Sequence, residues 1–90
     1  MKYRFKTTPV FRKALAALTA EQKRSAWRAF AIFRENPFDP RLHTHKIHSL
    51  SARYGRTIFS VRVEGDLRAV FYLEGDVVVS VDIGTHAIYR

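Results

Sequence analysis

Residues 57–86 read TIFSVRVEGDLRAVFYLEGDVVVSVDIGTH, and this stretch decides the fold. It holds three runs rich in β-branched and aromatic residues, separated by Glu-Gly-Asp at 64–66 and again at 74–76. Such runs favour strands, and glycine beside aspartate favours a tight turn. The stretch therefore predicts a three-stranded antiparallel meander.

Alternation along each predicted strand separates an apolar face from a second face. If each turn contains three residues, the apolar sets of all three strands share one face, which we expect to form the core. These sets are Phe59, Val61 and Val63 in the first strand, Leu67, Ala69, Phe71 and Leu73 in the second, and Val77, Val79, Val81 and Ile83 in the third.

The same register places Arg62 opposite Arg68 on the other face, and Arg68 opposite Asp82. Like charges directly opposite each other are unfavourable, so the pair indicates an anionic ligand such as phosphate. One alternative is that both guanidinium groups extend into solvent, with Asp82 offsetting one charge. Another is a two-residue turn with a bulge, which would shift one strand and separate the arginines.

The first third of the chain predicts one strand and two helices. Residues 2–6 alternate basic and aromatic side chains, as in an edge strand. Thr8 and Pro9 suit the start of a helix, and residues 19–22 match a capping box for a second helix that runs to about Glu35. The apolar stripes are Phe11, Leu15 and Leu18 in the first helix, and Ala26, Phe30 and Phe33 in the second, widened by Trp27, Ala29 and Ile32.

Residues 36–56 predict a long basic connection, with room for a short extended segment near 46–50. The predicted architecture is α+β, with one domain spanning residues 1–90. Its N-terminal strand and helical hairpin pack on an antiparallel sheet in two layers, in the order β-α-α-β-β-β.

Charge and composition limit the classes of partner that the protein can bind. The net charge is +8, and residues 1–62 hold 14 Lys and Arg against 3 Asp and Glu. Such a basic domain favours nucleic acid or an acidic protein partner. The chain has no cysteine, which excludes disulfides and thiolate metal sites. We expect a cytoplasmic protein without a membrane partner, because no apolar run reaches spanning length and the N-terminus alternates.

The order of these elements resembles the RelE/ParE superfamily of bacterial type II toxin–antitoxin systems, and more closely its RelE-like branch. The resemblance covers nearly the whole chain. Its most specific residues are Asn36-Pro37, Ser60-Val-Arg62, Leu67-Arg68-Ala-Val-Phe-Tyr72 and Asp82-Ile-Gly-Thr-His86-Ala-Ile-Tyr89.

The resemblance implies a RelE-like two-layer fold and a toxin that cleaves mRNA on the ribosome. The implied chemistry is attack of a ribose 2′-hydroxyl on the adjacent phosphate, with no metal or other cofactor. The implied partners are mRNA, ribosomal RNA and a cognate acidic antitoxin.

Carried over residue by residue, the resemblance implies a catalytic site of Arg62, Arg68, His86 and Tyr89. The arginines would stabilise transition-state charge, and His86 is the group at this site that titrates near neutral pH, so it suits a general acid or base. Tyr89 would stack on a base or donate a proton. The chain departs from the pattern at Ser60, where some relatives carry a second basic residue, and no acidic general base aligns.

A second basic cluster lies in the connection. We interpret Lys46, His45, Arg53 and Arg56 as an RNA-binding surface, with Lys46 at a phosphate. A solvated loop is the first alternative. A zinc site is the second, because a His-x-His pair on a strand shares one face, but cysteine and carboxylate ligands are missing from the cluster.

Two other functions fit the same fold. A ParE-like inhibitor of DNA gyrase would bind a protein without catalysis, and a degenerate toxin would be a non-catalytic binding module. An endoribonuclease predicts cut mRNA, a gyrase inhibitor predicts lost supercoiling with intact mRNA, and a binding module predicts neither.

Overall fold

The computed structural model describes residues 2–89, apart from the side chain of His86. A five-stranded sheet has the strand order β1-β5-β4-β3-β2. The strands are β1 (Arg4–Thr7), β2 (His45–Lys46), β3 (Phe59–Glu64), β4 (Leu67–Glu74) and β5 (Val77–Gly84). The helices are α1 (Pro9–Ala16), α2 (Ala20–Glu35) and α3 (His48–Tyr54). Short 3-10 turns cover Pro40–Leu42 and His86–Tyr89, and we call the latter the C-terminal turn. The predicted α+β class is confirmed.

Local capping sets both long helices, as predicted. The Thr8 hydroxyl accepts a hydrogen bond from the backbone N–H of Phe11, with Pro9 in the first helical position. Thr19 and Gln22 form both bonds of a capping box. These contacts satisfy N–H groups that a helix start leaves without intrahelical partners. The predicted end of α2 near Asn36 is also correct.

The sheet is mixed rather than wholly antiparallel. β1 pairs in parallel with β5, with Arg4 opposite Val77 and Thr7 opposite Ser80. The rest of the chain between these strands forms the crossover that parallel pairing requires. β1 lies at the sheet edge, as its alternating basic residues predicted, although it begins at Arg4 rather than at residue 2.

The hairpin between β3 and β4 contains the predicted arginine pair, but its turn differs from the predicted three-residue turn. Gly65 and Asp66 form a two-residue turn, and the register shifts by one residue between Arg62 and Glu64. The bulge at Val63 supplies the residue that the shorter turn lacks. Arg62 therefore lies directly opposite Arg68, as predicted.

The second hairpin also has a two-residue turn, Gly75-Asp76, instead of the predicted three residues, so Glu74 lies opposite Val77 and the predicted face of the first half of β5 is wrong. A second bulge follows further along this strand. Phe71 lies opposite Ser80 and Val70 opposite Asp82, so Val81 is the extra residue. The Thr8 hydroxyl donates to the Val81 carbonyl at 3.0 Å and satisfies it. The predicted pairing of Arg68 with Asp82 is therefore wrong, because Arg68 lies opposite Gly84.

The sheet packs against other elements on both faces. On the helical side, α1 and α2 cover a core that includes Phe33 and Phe71, whose ring centroids are 5.1 Å apart. On the other side, Leu50 of α3 packs with Ile58, which precedes β3, and with the strand residues Val70, Val79 and Val81, and we call this cluster the second core. Val77, Val79 and Val81 were predicted in the helical-side core, and the register of β5 places them on this second side instead.

Two further predictions are wrong. Trp27 does not widen the buried stripe of α2, because its side chain is 61% exposed. The extended segment predicted near 46–50 is correct only at Lys46, which lies in β2, and residues 48–54 form α3 instead. No side chain caps the start of α3, and Gly55 ends it with a positive φ of 68°, so the usual N-terminal signal of a helix is missing from the sequence.

This packing predicts unequal costs for two aromatic positions on α2. Phe33→Ala should lower the free energy of unfolding by about 3–5 kcal/mol, because it leaves a cavity beside Phe71. Trp27→Ala should cost less than about 1 kcal/mol, because that ring is mostly in solvent. Urea denaturation of both variants measures the difference, and equal costs would contradict the assignment of the core.

Candidate active site

Two arginines lie side by side where β3 and β4 approach their turn, on the sheet face away from α1 and α2, which we call the arginine face. Arg68 donates from Nη1 to the Gly65 carbonyl at 2.6 Å and to the Leu67 carbonyl at 3.3 Å. Arg62 is exposed. Among residues 2–89, the ion pairs of the protein involve neither arginine. The pair therefore presents uncompensated positive charge on an ordered backbone.

Asp82 lies on the arginine face, but the ion pairs of the described residues do not include it. It sits opposite Val70, which makes it a diagonal neighbour of Arg68. Its Oδ1 accepts a hydrogen bond from the Ile83 backbone N–H at 2.8 Å, which orients the carboxylate and leaves its negative charge in place.

The C-terminal turn folds back onto the arginine face. Ile88 and Tyr89 pack against the second core, and the Tyr89 hydroxyl lies 2.5 Å from the hydroxyl of Ser60, which is fully buried. Ser60 is two positions before Arg62 on β3, so both residues share this face. Tyr89 is thereby fixed beside the arginine pair.

Gly84 makes the return of the chain possible. A Cβ at this position would lie 2.7 Å from Cγ2 of Ile88. A Cβ does not approach another carbon so closely in proteins, so any other residue would make the Ile88 side chain rotate or the C-terminal turn shift. Glycine is needed here for space, since Gly84 is not among the positive-φ glycines.

The backbone of His86 opens the C-terminal turn, two residues after Gly84, the partner of Arg68. Its side chain lies outside the described residues. Strand parity would place His86 on the face of the arginines if the last strand continued past Gly84. The strand ends at Gly84, so that parity argument does not apply.

The four predicted RNA-binding residues do not all lie on one side of the sheet. His45 lies opposite Ser60, on the side of the arginine face, whereas Lys46 lies opposite Phe59, whose ring packs in the helical-side core. Arg53 is exposed on α3. Arg56 lies over the ring of Tyr72, with its Cζ 4.0 Å from the ring centroid, and pairs with Glu74 at 3.5 Å.

The histidine cluster has no metal-binding geometry in the described part of the chain. His43 precedes β2 in a left-handed conformation, so His43 and His45 do not share a strand. The His45 ring nitrogen Nδ1 bonds the His43 carbonyl at 2.8 Å. Among residues 2–85 and 87–89, no three His, Cys, Asp or Glu side chains could hold a metal ion together. No helix among these residues has the length and apolarity to cross a membrane.

Sequence reasoning missed two residues that shape this face. Ser60 and Tyr72 have the same strand parity as Arg62 and Arg68, and this parity was a signal that could have placed them. Their partners, Tyr89 and Arg56, come from segments outside the meander, and strand alternation carries no information about such contacts.

The fold defines a class: the chain has the fold of RelE-like toxins, which confirms the resemblance at the level of structure. A chain of the archaeal RelE-RelB complex from Pyrococcus horikoshii OT3 matches with a TM-score of 0.71 and 20% identity, over 94% of this chain and 96% of that chain. YafQ from E. coli matches with a TM-score of 0.69 and 17% identity, over 97% of each chain. A chain of the E. coli DinJ-YafQ toxin–antitoxin complex matches with a TM-score of 0.70 and 15% identity, over 98% of this chain and 97% of that chain. No protein-family model and no curated protein sequence matches the chain.

The contact between Ser60 and Tyr89 predicts measurable coupling. Ser60→Ala and Tyr89→Phe should each destabilise the protein, and a double-mutant cycle should give a coupling energy of about 0.5–1.5 kcal/mol. Urea denaturation of the two single variants and the double variant measures it. Fully additive effects would show that the C-terminal turn is not held at Ser60.

Proposed function

We propose that this chain is the toxin of a type II toxin–antitoxin system and acts as a ribosome-dependent mRNA endonuclease. The observation that carries the proposal is the Arg62–Arg68 pair, held face to face on a sheet with no carboxylate paired to it in the described residues. Two adjacent guanidinium groups suit the oxygens of one phosphate. The RelE-like fold supports the class of protein.

In the proposed reaction, a base removes the proton of a ribose 2′-hydroxyl, and the 2′-oxygen attacks the adjacent phosphorus. The bond from phosphorus to the 5′-oxygen then breaks, and an acid protonates that oxygen. The products are a 2′,3′-cyclic phosphate and a 5′-hydroxyl. Negative charge grows on the phosphate during attack, where Arg62 and Arg68 would stabilise it.

Two residues of the C-terminal turn would complete the site. We assign one of the proton transfers to His86, because its backbone lies next to the strand end that faces Arg68, and imidazole titrates near neutral pH. The phenol of Tyr89 can donate a hydrogen bond or its ring can stack on a base. Ser60 would orient its hydroxyl.

Arg62→Ala and Arg68→Ala should each slow mRNA cleavage by about 10²–10³-fold, the usual cost of removing one group that stabilises transition-state charge. Arg24→Ala is the matched control, because Arg24 is exposed on α2, which packs on the opposite side of the sheet. Primer extension on mRNA in a translation reaction measures the rate and the cut sites.

Unchanged cleavage in both variants would show that the arginine pair is not the site. Inhibition of DNA gyrase in a supercoiling assay, with intact mRNA, would favour the ParE-like alternative. A chain that affects neither mRNA nor supercoiling would be the non-catalytic binding module.

We also propose where the acidic antitoxin docks. A groove of about 380 Å³ lies between β1 and the two long helices, on the side of the sheet opposite the arginine pair. Its apolar lining includes the exposed ring of Trp27, and Lys6, Arg12 and Arg34 supply its charge. An exposed aromatic patch with a basic rim suits an acidic amphipathic segment that folds on binding. We call it the aromatic groove.

Trp27→Ala should weaken binding of the antitoxin at least about 30-fold, as loss of a central aromatic anchor does. The ligand is the acidic product of the adjoining open reading frame, and isothermal titration calorimetry gives the affinity. Arg24→Ala, on the same helix, should bind normally. Equal affinity of wild type and Trp27→Ala would place the antitoxin elsewhere.

A further inference from the structure

Arg56 is fixed on an aromatic ring at the far end of the arginine face. Its Cζ lies 4.0 Å from the centroid of Tyr72, and its Nη1 lies 3.5 Å from Oε2 of Glu74. Tyr72 packs against the second core, so its ring is anchored. Ring and carboxylate together hold the guanidinium in one place, which lowers the entropy cost of binding anything to it.

The outer side of this guanidinium is available to a ligand. A guanidinium is planar, and one face of the Arg56 guanidinium lies on the ring of Tyr72. The side chain of Arg56 is still 41% exposed to solvent. Glu74 already offsets the charge of Arg56 and would repel a phosphate. What remains attractive is a flat, polarisable surface, and this suits a nucleobase better than a phosphate.

The position of this surface relates it to the arginine pair. Tyr72 and Arg68 lie on the same face of β4, four residues apart, which corresponds to roughly 13 Å along a strand. This distance is longer than a single nucleotide step. A base at Arg56 would therefore belong to a flanking nucleotide rather than to either nucleotide of the linkage held by Arg62 and Arg68.

We propose that Arg56 and Tyr72 form a stacking platform for one base of single-stranded RNA, flanking the linkage bound by Arg62 and Arg68. This inference rests on the proposed function and adds a recognition subsite to it. Stacking accepts any base and favours the larger rings of purines, so the platform would set the position of the RNA more than its sequence. It would let the protein engage mRNA in a fixed register relative to the arginine pair.

The test is binding of short 2′-O-methyl RNA, which cannot be cleaved, with one abasic nucleotide moved stepwise along the strand. Fluorescence anisotropy should show one position where the abasic nucleotide weakens wild-type binding about 5- to 150-fold. Arg56→Lys keeps the positive charge beside Glu74 but removes the planar guanidinium group. In this variant the penalty should fall to about twofold or less. Arg24→Lys makes the same change on α2, on the opposite side of the sheet, and should keep the full penalty.

An equal penalty in wild type and Arg56→Lys would overturn the platform, as would the lack of any sensitive position or of any binding to these RNAs. None of these results bears on cleavage. Primer extension on translated mRNA reports separately on the proposed function, so a toxin that cuts mRNA but shows no abasic effect would lose only the platform.

Discussion

The register of the β3–β4 hairpin is the constraint on which the rest of the site depends. A two-residue turn alone would offset the strands, and the bulge at Val63 restores the alignment that places Arg62 opposite Arg68. Two like charges held so close are unfavourable in the isolated protein. Hydrogen bonds from Arg68 to turn carbonyls fix one of them without neutralising it. The backbone thus holds two positive charges close together, and a bound anion would reduce the repulsion between them.

The second hairpin determines what surrounds the pair. Its two-residue turn places Val79 on the arginine face, and the extra residue Val81 lies beside it, where both form a small core with Leu50. That core gives the C-terminal turn an apolar surface to pack on, and Ser60 then fixes Tyr89. The Thr8 hydroxyl, which caps α1 and also bonds the Val81 carbonyl, links the start of the chain to this arrangement.

Much of this structure could be predicted from local pattern. The helix caps at Thr8 and Thr19 and the end of α2 follow from signals within a few residues of one another. The arginine pair was predicted from a three-residue turn, and it forms because the bulge at Val63 compensates for a shorter turn. The same assumption about the turn at 74–76 gave the wrong faces for Val77 and Val79. The bulge at Val81, whose carbonyl accepts a hydrogen bond from Thr8, involves a contact between residues distant in sequence, which local pattern does not contain. Helix α3 has no capping side chain, and Trp27 differs from buried neighbours only by its angle around α2. Both depend on tertiary packing, which periodicity does not contain.

In the proposed toxin, the two faces of the sheet would bind different partners. The arginine face would hold RNA, and the aromatic groove on the opposite side would hold the antitoxin. The two surfaces share the strands but none of the side chains that we assign to each.

The central claim is that Arg62 and Arg68 bind the same phosphate. A structure of the protein on a translating ribosome, with mRNA methylated at its 2′-hydroxyls to prevent cleavage, tests it most directly. We predict guanidinium nitrogens of both arginines within about 3.2 Å of oxygens of one phosphate, with the C-terminal turn beside it. Arginines on different phosphates, or an arginine face turned away from the mRNA, would contradict the account.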